Sequence, residues 1–195
     1  MNKDIFGNEI KERKKKTKLE TTLKRNDEKS FNDRLERLKY LNKIIPKDII
    51  LAGDHELIYI FEEIKTTFVN GDYIASIILS QAFIERILQG HYKSIGLAEI
   101  GRKGLKAILT HVEKHEILHP FLLKKFDILR LKRNPLVHLK PLEYEYNITQ
   151  RIMKKIENSE NYLHPILILE GDAKEAVSLM CLLLTTKIEN PKYAT

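Results

Sequence analysis

Three residues in the second half of the chain have the types and the spacing to act on a phosphodiester bond. Asn134 directly follows Arg133, and His138 lies five positions after that arginine. Arginine carries a permanent, planar charge that can contact two phosphate oxygens at once. Histidine titrates near neutral pH and can accept or donate a proton. We therefore interpret Arg133, Asn134 and His138 as a candidate catalytic set.

This set matches the needs of RNA hydrolysis. A base removes the proton of the ribose 2′-OH, and the resulting alkoxide attacks the adjacent phosphorus. A cation stabilises the added negative charge, and an acid protonates the leaving 5′-oxygen. We assign proton transfer to His138, phosphate stabilisation to Arg133 and positioning to Asn134. The route needs no metal, so the sequence predicts no cofactor.

The neighbours of this set are mostly basic. Arg130 and Lys132 are expected to support it, and Lys140 is expected to contact RNA. One acidic residue, Glu85, falls inside the apolar stripe of a predicted helix. Because buried charges are usually paired, this carboxylate is expected to orient the catalytic set. The alternative is that Glu85 lies at the edge of the stripe and pairs with a surface cation.

A second pattern predicts different chemistry. His115, Glu116 and His119 match the H-E-x-x-H motif, in which two histidines on one helical face bind zinc and the glutamate activates water. Pro120 follows at once and biases His119 away from helical geometry. The helix carrying both ligands would therefore end at the second one. A zinc hydrolase stays open as the weaker alternative.

The Arg-Asn-x-x-x-His segment resembles the hallmark of the HEPN superfamily, which is Arg, four to six residues, then His, often with Asn directly after the Arg. Arg133, Asn134 and His138 fit these three positions. The resemblance covers about residues 55–187. One subgroup of the family has a tyrosine two residues after the His, where this chain has Lys140, so control through that tyrosine is in doubt.

The resemblance implies a compact helical bundle. Catalytic members usually act as dimers with two motifs facing each other, and many are toxins or nucleases of antiviral defence. We therefore expect a metal-independent endoribonuclease that forms a homodimer, with RNA and an inhibitory antitoxin or another defence protein as partners. Some members keep the fold without activity. A catalytically silent module that binds RNA or protein is thus the first alternative.

The elements expected to position these residues are helices. Apolar residues recur at helical spacing in most segments, and no run of alternating strands is present, so the predicted class is all-α. Asn134 precedes Pro135, so the helix that starts near Pro120 is expected to end or kink there. A further helix is expected between 144 and 161. The segment 165–169 is ambiguous and short enough for a strand, with Asp172 capping a last helix.

The positive charge is concentrated near the start of the chain. Residues 1–45 hold 14 Lys and Arg against 8 Asp and Glu, which accounts for +6 of the net charge of +7. We predict an arm at 1–45 with one helix, starting at the capping box of Ser30, and a HEPN-like helical domain at 46–195. Lys14, Lys15 and Lys16 in the densest run are candidate RNA contacts. A solvated basic tail is the alternative.

Composition limits the setting and other functions. The chain has 195 residues and 43% apolar residues, enough for one proper core. A single cysteine and the lack of a secretory leader pattern indicate a cytoplasmic protein. No apolar run approaches the ~20 residues that span a bilayer. Phosphate-binding glycine loops and cysteine clusters for zinc are also missing from the sequence.

Overall fold

In the computed structural model, the described residues are 17–47, 55–158 and 164–191, and all of their regular structure is helical. The fold class is therefore all-α, as predicted. Within these ranges the helices are α1 (Lys18–Ile44), α2 (His55–Asn70), α3 (Tyr73–Ser94), α4 (Ala98–Gly101), α5 (Leu105–Lys114), α6 (Pro120–Val137), α7 (Ile148–Glu157) and α8 (Pro165–Leu184). No helix among them is long and apolar enough to cross a membrane.

Helix α1 begins earlier than predicted. It starts at Lys18, so Ser30 lies inside the helix instead of capping it. The N-terminal cap is the reciprocal pair of Thr17 and Glu20, in which each side chain accepts a hydrogen bond from the other residue's backbone N–H. The chain divides into two units, Met1–Glu36 and Arg37–Thr195.

The second unit is built around α3, which packs mainly against α2 and α8. The last turns of α1 belong to this unit. Leu41 is buried, and the Tyr40 hydroxyl is 2.7 Å from that of Ser178 on α8. The core combines apolar side chains from α2, α3, α5, α6 and α8. Its largest fully buried members include Phe68, Phe83, Tyr92, Phe126, Ile84 and Met180.

Helix α8 corrects two expectations. It begins at Pro165, with His164 as its N-cap, so residues 165–169 form its first turns instead of a strand. Proline suits the first helical position because its missing N–H would have no partner there. Asp172 therefore lies inside the helix and does not cap it. Its side chain is buried, with 5% of the residue exposed.

Helix α7 confirms the helix expected between 144 and 161, but it contributes little to the core. None of its residues is buried. Ile148, Ile152 and Ile156 recur at four-residue spacing on one face, with Ile156 about half exposed. The strongest tie between α7 and the bundle is polar, an ion pair between Arg151 and Asp172. This helix lies close in sequence to the candidate catalytic set.

Candidate functional site

The Arg133 side chain lies on the inward face of α6. Leu122, Phe126 and Leu129 on this face are buried, and Arg133 continues their spacing toward the helix end. The residue is half-buried, and its Nε atom is buried without a hydrogen-bond partner among the described residues. A buried polar group without a partner is costly, which makes this guanidinium a candidate for binding an anion.

Glu85 on α3 is the carboxylate that interacts with this arginine. Burial raises the pKa of Glu85, while the charge of Arg133 and a hydrogen bond from the Leu105 backbone N–H partly offset that effect. Gln89 Nε2 also donates to Glu85 Oε1 at 3.4 Å. Glu85 is thus held at the start of α5 within electrostatic range of Arg133. That Glu85 orients the catalytic set stays a prediction.

His138 ends α6 and is exposed. Its backbone N–H donates to the Asn134 carbonyl at 2.9 Å, and its own backbone is extended. The imidazole makes no hydrogen bond within the described part of the chain. Val137 and Leu139 on either side of it are also exposed. The ring is therefore available to solvent and to a substrate, on the last turn of the helix that carries Arg133.

Helix α6 does not end at Asn134, which was one of the two outcomes expected from Pro135. It continues through this proline to Val137. A proline inside a helix leaves the carbonyl four residues earlier without its usual N–H donor. Here that carbonyl belongs to Leu131, and the Tyr144 hydroxyl donates to it at 3.1 Å. The substitute hydrogen bond explains how the last turn persists and keeps Asn134 helical.

The basic neighbours expected to support the site have different environments. Lys132 Nζ lies 3.0 Å from Asp172 Oδ1 and 2.7 Å from Glu175 Oε2. Arg130 donates through Nε and Nη2 to Asp127 Oδ1, at 2.8 and 2.7 Å. The charges of these two residues are thus compensated within the protein.

Lys140, the predicted RNA contact, has a different neighbour. Its Nζ lies over the Tyr144 ring, 5.8 Å from the centroid. Lys140, two residues after His138, is thus held against Tyr144. The other predicted RNA contacts, Lys14, Lys15 and Lys16, lie outside the described residues.

Sequence reasoning missed the ion-pair network beneath this region. Arg151 contacts both carboxylate oxygens of Asp172, with Nη2 2.8 Å from Oδ1, and Lys125 Nζ lies 2.7 Å from Glu175 Oε1. Together with Lys132, these residues join α6, α7 and α8. The available signal was the group of charged residues inside the apolar pattern of 165–184, which are Glu170, Asp172, Lys174 and Glu175. The interpretation of Asp172 as a helix cap concealed that signal.

The H-E-x-x-H segment does not have the geometry of a zinc-binding helix. Helix α5 ends at Lys114, and Glu116 has a positive φ of 52°. His119 begins α6, where its Nδ1 accepts a hydrogen bond from the Phe121 backbone N–H. The two histidines thus do not share one helical face. Among the described residues, no group of three or more His, Cys, Asp or Glu side chains could hold a metal ion.

A histidine pair lies next to this segment. Tyr92, which is buried, has its hydroxyl 2.8 Å from His111 Nδ1, and the His111 ring stacks on that of His115 with centroids 4.2 Å apart. Burial lowers the pKa of His111, and the charges of His115 and Lys114 lower it further. The contacts fit a structural role in which a neutral His111 satisfies a buried hydroxyl.

No family model, curated protein or solved structure matches this chain. The case for its function therefore rests on its own residues. They combine a half-buried arginine, whose Nε has no hydrogen-bond partner among the described residues, with an exposed histidine five positions further on, at the C-cap of the same helix.

Proposed function

We propose that this chain is a metal-independent endoribonuclease whose active site contains Arg133, Asn134 and His138. The observation that carries the proposal is the contrast between two side chains at the end of α6. Arg133 has an unsatisfied, buried Nε, and the His138 imidazole is exposed and unbound within the described residues. A cation and an acid–base group are the pair that phosphodiester cleavage needs, and here the two lie five positions apart at the end of α6.

Each residue has one task in the proposed reaction. His138 accepts the proton of the ribose 2′-OH as the 2′-oxygen forms its bond to phosphorus. Arg133 binds the phosphate oxygens, whose negative charge rises in the transition state. The bond from phosphorus to the 5′-oxygen breaks, and that oxygen takes up a proton from an acid. The products are a 2′,3′-cyclic phosphate and a free 5′-hydroxyl.

A second copy of the chain would supply the acid. One motif offers a single imidazole, while the reaction uses a base and an acid, and twofold dimers are the commonest soluble assemblies. Exposed apolar side chains surround the motif, including Val137, Leu139 and Leu142, and the apolar face of α7 follows them. Such a surface suits an interface that brings two copies of His138 to one cleft. Light scattering should give the mass of a dimer, and a strict monomer would exclude this shared site.

The cellular role is also part of the proposal. We propose that the enzyme acts on cytoplasmic RNA as a toxin or an antiviral effector, controlled by an antitoxin or another protein of the same defence system. This part of the proposal rests on the resemblance of Arg133, Asn134 and His138 to HEPN nucleases.

The test is RNA cleavage by the purified full chain and two variants. Arg133→Ala should reduce the rate by about 10²–10³, the typical cost of losing one group that stabilises transition-state charge. Arg102→Ala, which removes an exposed arginine paired with Glu99, should cleave like the wild type. Products with 2′,3′-cyclic phosphate ends would support the mechanism. Equal rates for the wild type and Arg133→Ala would overturn the proposal.

One observation favours a second candidate, a catalytically silent module that binds RNA. The charge of Arg133 lowers the pKa of Glu85 against the effect of burial, so the two side chains attract each other, and both residues are half-buried. If the attraction to Glu85 keeps the guanidinium from binding a phosphate, the role of Arg133 is structural. RNA binding that is unchanged in Arg133→Ala, with no cleavage by the wild type, would identify the silent module.

A further inference from the structure

A pair of tyrosines follows the candidate catalytic set. Tyr144 and Tyr146 lie in the segment between His138 and α7, with their ring centroids 5.7 Å apart and their planes at 49°. Both residues are partly exposed. The Tyr144 hydroxyl is bonded to the Leu131 carbonyl, whereas the Tyr146 hydroxyl makes no hydrogen bond among the described residues. The contacts thus explain Tyr144 in structural terms and leave the Tyr146 ring without such an explanation.

Tyr144 contacts α6 close to His138. The Leu131 carbonyl, which accepts from the Tyr144 hydroxyl at 3.1 Å, precedes the Asn134 carbonyl by three residues, about 4.5 Å along the helix axis. The Asn134 carbonyl in turn accepts the His138 backbone N–H at 2.9 Å. The contact made by Tyr144 is therefore less than one helical turn from the carbonyl that is bonded to His138.

Tyr146 continues the pair along α6, away from His138. Burial raises the pKa of its hydroxyl, the charges of Glu145 and Asp127 raise it further, and the charge of Lys132 opposes them. Asp127 lies four residues before Leu131 and so on the same face of α6. The two rings thus follow one face of the helix in succession, as neighbouring bases of a bound strand do.

The charge of this segment does not favour a bare phosphate. Residues 139–147 contain one cation, Lys140, against two exposed carboxylates, Glu143 and Glu145. What the segment offers is aromatic surface with a polar end, on which the flat face of a base can stack. The tyrosine pair therefore suits nucleobases better than phosphates.

We propose that Tyr144 and Tyr146 form a stacking platform for bases of single-stranded RNA beside the scissile phosphate; the inference rests on the proposed ribonuclease function. The base of the nucleotide whose 2′-OH reacts lies on Tyr144, and the base of an adjacent nucleotide lies on Tyr146. Lys140, whose Nζ lies over the Tyr144 ring, moves to a flanking phosphate. Stacking accepts every base, so the platform positions the strand without selecting a sequence.

The test uses an oligonucleotide with one ribonucleotide among 2′-deoxynucleotides, so that the proposed mechanism can cleave only one bond. A matched substrate keeps all phosphates but is abasic at the ribonucleotide and at both of its neighbours. The wild type should cleave the base-containing substrate about 10²-fold faster, the order expected for two stacked bases. Tyr146→Leu should lose about 10-fold on this substrate, one stacked base, and should cleave the abasic substrate like the wild type.

Two variants control for the loss of a tyrosine as such. Tyr146→Phe keeps the ring and should cleave both substrates like the wild type. Tyr59→Leu removes a tyrosine on α2 that is 70% exposed, and it should also leave both rates unchanged. Because stacking is not an ionic contact, the difference between Tyr146→Leu and the wild type should persist at raised salt, where phosphate contacts weaken.

Binding measurements separate this inference from the proposed function. Fluorescence anisotropy with fully 2′-deoxy forms of both oligonucleotides, which lack the attacking hydroxyl, should show the same preference in the wild type and a smaller one in Tyr146→Leu. This binding result without cleavage of the ribonucleotide substrate would support the platform and refute the nuclease. Equal cleavage of the two substrates, or a loss in Tyr146→Leu that is the same on both, would overturn the platform and leave the nuclease standing. No binding and no cleavage would overturn both.

Discussion

The two ends of α6 invite comparison, because each has a capping histidine and a nearby proline. His119 is the N-cap and Pro120 the first helical residue, while Pro135 lies in the last turn before the C-cap, His138. At the N-terminal end the imidazole is used by the backbone, since Nδ1 accepts from the Phe121 N–H. At the C-terminal end the imidazole makes no hydrogen bond within the described chain.

The difference teaches that a histidine in a sequence motif is available to a ligand only if its ring is not already bonded within the fold. His119 belongs to the better-known metal pattern, yet its ring has a structural task. The His138 ring does not cap its helix end, because other groups stabilise that end. Tyr144 satisfies the Leu131 carbonyl, and Lys132 is anchored by Asp172. The end of the helix that is supported from outside is the one whose histidine ring makes no hydrogen bond among the described residues.

The largest effect on stability is expected from removing that external support. Asp172→Ala should lower the free energy of unfolding by about 3–5 kcal/mol, because it leaves Lys132 and Arg151 beside each other without their shared carboxylate. Urea denaturation measures the change. The control is Glu62→Ala, which removes an exposed ion pair with Lys65 and should cost no more than about 1 kcal/mol. Equal losses in the two variants would show that the network does not support the C-terminal end of α6.

A smaller effect is expected from the hydroxyl that compensates for Pro135. Tyr144→Phe should cost about 1 kcal/mol, the usual net value of one hydrogen bond. In a Pro135→Ala background the restored N–H can bond to the Leu131 carbonyl, so the same substitution should cost less. A double-mutant cycle measures this coupling. If Tyr144→Phe costs the same in both backgrounds, the hydroxyl does not replace the missing donor.

The smallest expected effect is the pH dependence contributed by Glu175. Burial raises the pKa of this carboxyl, but hydrogen bonds and charges from Lys125 and Lys132 together leave it below its ordinary value. The unfolded chain therefore binds the proton at higher pH than the folded chain does. The stabilisation by Glu175 is present above its ordinary pKa and is lost as pH falls through the lowered one. The stability advantage of the wild type over Glu175→Gln should shrink on acidification, and a constant advantage would contradict the ion-pair assignment.

Patterns in neighbouring residues predicted those features of the fold that depend on neighbouring residues alone. The all-α class and the start of α6 at Pro120 follow from helical spacing and proline geometry. The course of α6 beyond Asn134 did not follow, because it depends on the hydroxyl of Tyr144, ten residues after that asparagine. The sequence shows the residue but not the contact.

The same reason explains why the segment at the start of α8 was misread. The residues at 165–169 are compatible with a strand or a helix, and Asp172 has the side chain of a typical N-cap. Its burial inside the helix depends on Arg151 and Lys132, which come from two other helices. Within the site, the motif indicated which residues are candidates. Only the packing distinguished the compensated cations, Arg130 and Lys132, from Arg133, whose Nε has no hydrogen-bond partner among the described residues.

The most direct test of the central claim measures RNA cleavage in a strong chelator by three forms of the full chain. The wild type should remain active, and His138→Ala should lose about 10²–10⁴ in rate, the usual contribution of a general acid or base. His119→Asn, which keeps a good N-cap residue for α6, should cleave like the wild type. Activity that the chelator abolishes and zinc restores, or a fully active His138→Ala chain, would contradict the assignment of the active site to the C-terminal end of α6.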